Sequence, residues 1–205
     1  MRGELHEAAI KLLSSMKYLN AGTVEFLYDV NRQAIYFIEV NTRIQVEHPV
    51  SEQVTGFDLV QMQFRIAGGE PALPRQDQIK VARHAIECRI NAEDAAKNFM
   101  PSPGRITRWA PPQGAGIRVD SHCRDGYLVP PYYDSMIAKL IVTADSRPAA
   151  VERLQAALAN FEIDGLTTNL PLLRYIAAQP DFAANKIHTR WLEQDVLPSF
   201  QQDHA

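Results

Sequence analysis

Two runs rich in β-branched and aromatic residues, Gly22 to Asp29 (GTVEFLYD) and Ala34 to Asn41 (AIYFIEVN), constrain the fold more than any other feature of the chain. Val30-Asn31-Arg32-Gln33 between them is a polar turn, so the pair predicts an antiparallel hairpin. Centred on Arg32, the hairpin would pair Leu27 with Phe37, Tyr28 with Tyr36 and Glu25 with Glu39. Two glutamates directly opposite on one face repel. A cation between them reverses the sign. Two carboxylates with the amide oxygen of Asn41 suit a hard divalent ion, most simply Mg²⁺ holding a nucleotide's phosphates. The other reading of the same residues is a slipped register with both glutamates turned to water.

The second run leads into Glu39-Val40-Asn41-Thr42-Arg43-Ile44-Gln45-Val46-Glu47-His48-Pro49. In an extended chain, residues two apart share a face. One face would then carry Glu39, Asn41, Arg43, Gln45 and Glu47, an ordered row of ligands for something small and charged.

The string EVNTRIQVEHPVSE, from Glu39 to Glu52, resembles the active-site signature of biotin carboxylases, ATP-grasp enzymes of biotin-dependent carboxylation. HAIECRINAED (His84 to Asp94), PSPGRI (Pro101 to Ile106), VPPYYDSMIAKLI (Val129 to Ile141) and IDGLTTN (Ile163 to Asn169) resemble the same family, in its order. The Glu-x-Asn-x-Arg part is shared with other ATP-grasp enzymes, and QVEH points to the biotin branch. Thr42 and Pro49 are more similar to the acyl-CoA carboxylases, with their place in fatty acid biosynthesis, than to pyruvate carboxylase.

The resemblance implies a role for each matching residue. Glu25, Glu39 and Asn41 resemble the ligands of the Mg²⁺ (or Mn²⁺) that positions ATP, with Glu25, Leu27, Ile38 and Glu39 at the nucleotide. Such an ion neutralises charge on the transferring phosphoryl group. Arg43, Gln45 and the backbone of Val46 resemble a bicarbonate pocket, where a guanidinium fork matches a planar oxyanion. Glu47 resembles the general base that deprotonates bicarbonate. Arg89, in ECRIN, resembles the residue that stabilises the enolate form of the biotin ureido ring, an oxyanion held by a fixed positive charge. The implied reaction makes carboxyphosphate from ATP and bicarbonate and carboxylates N1 of biotin. The implied partners are a biotin carboxyl carrier protein or domain, a carboxyltransferase and a second copy in a homodimer.

Other readings stand beside these. Arg89 alone is an ordinary surface arginine on a strand whose apolar side is Ile86, Cys88 and Ile90. His48 is expected to be fixed by a backbone hydrogen bond, and Tyr132 and Tyr133 to close a turn as an aromatic pair. Pro101, Pro103 and Gly104 read as a rigid turn. Arg118 and Asp134 suit a subunit contact. The whole chain could also be a non-catalytic dimerisation or docking module, or an ATP-grasp ligase for another substrate.

Composition bounds the function classes. The formal net charge of −3 gives no footprint for nucleic acid. No apolar run approaches the roughly 20 residues of a membrane span. The first residues, MRGELHEAAIKLL, lack a secretory pattern. Cys88 and Cys123 make no metal motif and read as buried or idle thiols, in keeping with a cytoplasmic setting.

The fold class read from these elements is α+β: the C-terminal part of an ATP-grasp domain over residues 1–78, then the mixed biotin carboxylase C-terminal domain over 79–198, with 199–205 as a disordered tail. Helices are predicted over 4–19 and 56–67, the second stopping at Gly68-Gly69. Pro71 to Gln78 reads as a linker. Strands are predicted near 82–91, 104–109, 116–122 and 136–143. Ser146 is expected to cap a helix over 147–161, and Asn169 another through Ala178. A short helix near 187–194 closes the chain. Complete members of the family begin well upstream of anything resembling Met1. No glycine-rich phosphate loop and no Met-Lys-Met biotin-acceptor motif occurs in the sequence. The expectation is therefore the C-terminal half of a biotin carboxylase, inactive by itself.

Overall fold

The computed structural model describes residues 1–70 and 74–203, which form two compact units, the first ending in sequence at Lys80 and the second beginning at Val81. Pro71, Ala72 and Leu73 of the expected linker lie outside the described residues.

The first unit opens with helix α1 (Arg2–Ser15), followed by strands β1 (Thr23–Asp29) and β2 (Ala34–Asn41), then helices α2 (His48–Thr55) and α3 (Leu59–Ala67). The hairpin forms because Asp29 closes its turn, its carboxylate accepting from the backbone of Asn31 at 2.9 Å and Arg32 at 3.0 Å. The register is mixed. Glu25 does face Glu39, but Leu27 faces Tyr36 and Tyr28 faces Ile35, one residue from expectation. A bulge between Glu25 and Phe26 on β1 leaves Ile38 as the extra residue on β2. Phe26 thereby pairs with Phe37, edge to face at 6.1 Å, on the face opposite the two carboxylates.

The extended row does not run to Glu47. β2 ends at Asn41, residues 42–47 are a loop, and the chain then turns into α2, an element the alternation concealed. Pro49 in the first turn of α2 presets its backbone, and Gly56, at φ 80°, ends it in the left-handed conformation. The buried Glu52 carboxylate accepts from Leu59 N at 2.9 Å, tying α2 to α3, and Asp58 caps α3 through Gln61 N at 2.8 Å.

The second unit carries β3 (His84–Asn91), β4 (Glu93–Asp94), β5 (Met100–Pro101), β6 (Gly104–Arg105), β7 (Arg108–Ala110), β8 (Ile117–Ser121), β9 (Leu128–Val129) and β10 (Met136–Ala144). Helix α4 (Arg147–Ala159), strand β11 (Glu162–Asp164) and helices α5 (Leu170–Ala178), α6 (Pro180–Ala183) and α7 (Leu197–Asp203) follow. The strand expected over 104–109 is two short strands, β6 and β7, which pair with β9 and β11. The main sheet is antiparallel in the order β3-β10-β8, so β10 is central and its near-continuous apolar sequence is almost wholly buried. Helix α4, capped by Ser146 as expected, packs Leu154 and Leu158 against Ile90, Leu140 and Val142 of this sheet. Phe161, fully buried, stacks edge to face on Trp109 at 5.3 Å.

Three further expectations are corrected. Asn169 stands at the N-cap of α5 but makes no side-chain cap bond; its amide reaches β3 instead. The tail after Pro198 is helical through Asp203, continuing a π-helical turn over Leu192–Val196, so the closing helix lies later than 187–194. Phe200 is the reason: it is 2% exposed, joins a second core cluster with Leu172, Trp191 and Val196, and stacks on Tyr175 at 5.5 Å.

Candidate active site

The paired carboxylates lie where β1 and β2 meet the bulge. Asn41, two residues beyond Glu39, shares their face and bridges them, Nδ2 donating to Glu25 Oε1 and to Glu39 Oε1, each at 2.9 Å. Gln45 Nε2 adds a third amide contact to Glu25 Oε1 at 3.0 Å. Neutral donors thus stabilise two acidic groups that would otherwise repel. The residues also fit a divalent ion: both carboxylates converge on one amide, and turning that amide over would present Asn41 Oδ1 beside them.

The 42–47 loop carries the rest. Arg43, Gln45, Glu47 and His48 line a cavity of about 390 Å³ within the first unit, together with Gly22, Ser51 and other residues. Arg43 is exposed and turns Nη1 onto Ile44 O at 3.2 Å. Glu47 occupies the N-cap position of α2 without capping it through its side chain. His48 is fixed as expected, Nδ1 lying 2.7 Å from Gln45 O, which holds the loop in its turn. Leu27 and Ile38 are about half exposed, at 48% and 53%, on the hairpin that bears Glu25 and Glu39. A cavity holding a guanidinium, an amide and a carboxylate can take a small oxyanion and its proton.

Arg89 belongs to the second unit. It is exposed on β3, while Ile90 beside it is fully buried and Ile86 and Cys88 pack on the core. Lys139 faces it across the β3–β10 ladder, and Asp120 lies beyond on β8, 3.8 Å from Lys139 Nζ. Arg118 spends its fork on the same Asp120, at 2.7 and 2.8 Å. Asp134 serves a turn, accepting from Met136 N at 2.8 Å. Tyr132 and Tyr133 do not close that turn as a pair; both rings are in solvent, 85% and 84% exposed. Burial pushes the Cys88 thiol up to about 12, with the charge of Glu87 adding to it, and burial also raises Cys123. Neither cysteine is in a disulfide. Lys139 and the Gln45–Glu25 contact were not foreseen; each depends on partners far apart in sequence.

Two family models match the chain: the biotin carboxylase C-terminal domain over residues 87–194, and the ATP binding domain of the carbamoyl-phosphate synthase L chain over residues 1–75. Biotin carboxylase 1 of Bacillus subtilis is 47% identical over 200 residues, 97% of this chain and 44% of that protein. Biotin carboxylase of Haemophilus influenzae is 52% identical over 177 residues, 86% of this chain and 39% of that one. The crystal structure of the biotin carboxylase domain dimer of 2-oxoglutarate carboxylase from Hydrogenobacter thermophilus, in complex with MgADP, ADP and bicarbonate, superposes with a TM-score of 0.93 at 46% identity. That match covers 98% of this chain and 44% of the other. The chain thus spans less than half the length of these relatives.

Proposed function

The chain belongs to the biotin carboxylase C-terminal domain family, and on that premise we propose that it supplies the bicarbonate site and the biotin-facing strand of an ATP-dependent biotin carboxylase. Residues 1–78 are read as the last part of an ATP-grasp domain and 79–198 as the C-terminal domain that accompanies it. The observation that carries the reading is the cavity lined by Arg43, Gln45, Glu47 and His48. Its guanidinium and amide suit bicarbonate, and its carboxylate supplies a base for the proton. Bicarbonate in the Hydrogenobacter thermophilus complex supports that ligand class.

In this reading Arg43, Gln45 and the Val46 backbone hold bicarbonate, and Glu47 removes its proton so that the oxygen can attack the γ-phosphate of ATP. Glu25, Glu39 and Asn41 would hold Mg²⁺ or Mn²⁺, which when bound neutralises charge on the phosphates. Leu27 and Ile38 offer apolar contact to the nucleotide. Carboxyphosphate so formed splits into CO₂ and phosphate; the released phosphate takes the N1 proton of biotin, Arg89 stabilises the resulting ureido enolate, and N1 attacks the CO₂. A biotin carboxyl carrier protein or domain, a carboxyltransferase and a second copy of the chain are the corresponding partners. The match of residues 1–75 to a carbamoyl-phosphate synthase model favours a second ATP-grasp ligase class, but the second unit's match weighs toward biotin.

The test is ATP hydrolysis dependent on bicarbonate and biotin, for this chain alone and mixed with a polypeptide spanning the remaining length of the Bacillus subtilis relative. The reading expects activity in the mixture. Two folded, associated pieces that hydrolyse no ATP would sink it.

A further inference from the structure

β3 is the outer strand of its sheet, so the backbone groups on its free edge need partners outside the ladder. Arg89 O and the N–H and C=O of Asn91 face that edge, while Ile90 between them pairs in register with Ala138 of β10. The ladder is also irregular there, with a bulge between Met136 and Ala138 opposite Ile90 and Asn91. At Arg89 and Asn91 the edge is closed by Asn169. Asn169 Nδ2 donates to Arg89 O at 3.0 Å, and Asn169 Oδ1 accepts from Asn91 N at 2.9 Å. Its own backbone N donates to Asn91 O at 3.0 Å. A side-chain amide offers an N–H donor beside a C=O acceptor, as a strand edge does, so Asn169 acts as one rung of an additional strand. It is 8% exposed and opens α5, which packs on α4, so the clip is anchored in the core rather than in a loop.

We propose that Asn169 is a positioning residue for Arg89, fixing the backbone from which the guanidinium projects. The proposal rests on the role given to Arg89 above. A long arginine side chain on a frayed edge strand would spread over many positions. Clipping its carbonyl and the N–H two residues on fixes the backbone, and so the direction in which the side chain leaves the strand.

The test uses the full chain, with nitrogen NMR of wild type, Asn169→Ala and Asn169→Asp. Asn169→Ala is expected to speed exchange of the Asn91 amide about tenfold or more. It is also expected to lower the order parameter of the Arg89 Nε–H, while the Leu154 and Leu158 amides stay protected. Asn169→Asp keeps the acceptor for Asn91 N and loses the donor for Arg89 O, so it carries the test if the alanine variant unfolds. Its carboxyl donates again when protonated, so the order of Arg89 should recover as pH falls. Unchanged Arg89 order in a folded variant overturns the proposal. In the reconstituted reaction, Asn169→Ala should lower kcat/KM for biotin about tenfold with KM for ATP unaltered. If Arg89 loosens but Arg89→Ala does not slow biotin carboxylation, the clip stands and the assignment of Arg89 falls. If Arg89→Ala slows it and the loosened Asn169→Ala does not, the positioning role falls.

Discussion

Glu25 and Glu39 face each other across the β1–β2 ladder, and one amide, that of Asn41, donates to both at 2.9 Å. Hydrogen bonds from neutral amides hold the two like charges together, and the metal role proposed for the pair would offset their repulsion.

Removing one charge separates the two consequences. Without divalent ions, Glu39→Gln should leave the hairpin equally stable or stabilise it by about 0.5 kcal/mol, since a like-charged cross-strand pair is relieved. With Mn²⁺ the order should invert: the wild-type chain gains stability with rising ion concentration and the variant gains less. Thermal unfolding with and without Mn²⁺ reads both effects. An identical Mn²⁺ response in the two proteins would count against the metal role of this pair.

Phe200→Ala should destabilise the second unit by about 3–5 kcal/mol, because it empties a site walled by Leu172, Trp191, Val196 and Tyr175. Urea unfolding of the full chain measures it. A cost near zero would mean that residues 197–203 are not docked in solution.

The same residue marks a limit of reading the sequence. Phe200 follows Pro198 and stands among polar residues, so local pattern suggests a tail; only the distant Leu172 and Trp191 give it a place to bury. The bulge at Ile38 was equally hidden, since a period-two pattern does not say where one residue is left over, and it displaced the Leu27 and Tyr28 pairings while leaving Glu25–Glu39 intact. Helix α2 was concealed because Glu39 to Glu47 alternate by residue type although the backbone leaves the strand at Asn41. What local chemistry decides was legible: the hairpin turn at Asp29, the stop at Gly68-Gly69, the Ser146 cap and the two faces of β3 about Arg89. Asn169 was legible as a polar residue before a helix, but not as the partner of a strand 78 residues away.

Cys88 should resist alkylation. With its thiol pushed up to about 12 by burial, the thiolate fraction at pH 8 is about three orders of magnitude below that of an exposed cysteine. Iodoacetamide labelling followed by peptide mass spectrometry should show a Cys88 rate that climbs with pH and has no plateau up to pH 10. Rapid labelling at pH 7 in the folded chain would contradict the burial.

The two units should also differ in local stability. Among the described residues, the first unit buries only Pro49 and Glu52, whereas both apolar clusters belong to the second. Phe37, Ile38 and Phe64 of the first unit are 55%, 53% and 75% exposed, so its hairpin and helices gain little from burial. Backbone hydrogen bonds supported by so little packing open by small local fluctuations, while those of β10 and α4 open only when the core does. Amides of β1 and β2 should therefore exchange on the order of 100-fold faster than those of β10 and α4 in the same chain. Deuterium exchange by mass spectrometry resolves the two units. Addition of a polypeptide that covers the exposed face of the hairpin should slow the first set and leave the second unchanged. Equal protection of both sets in the isolated chain would mean that the hairpin is stabilised by something other than burial.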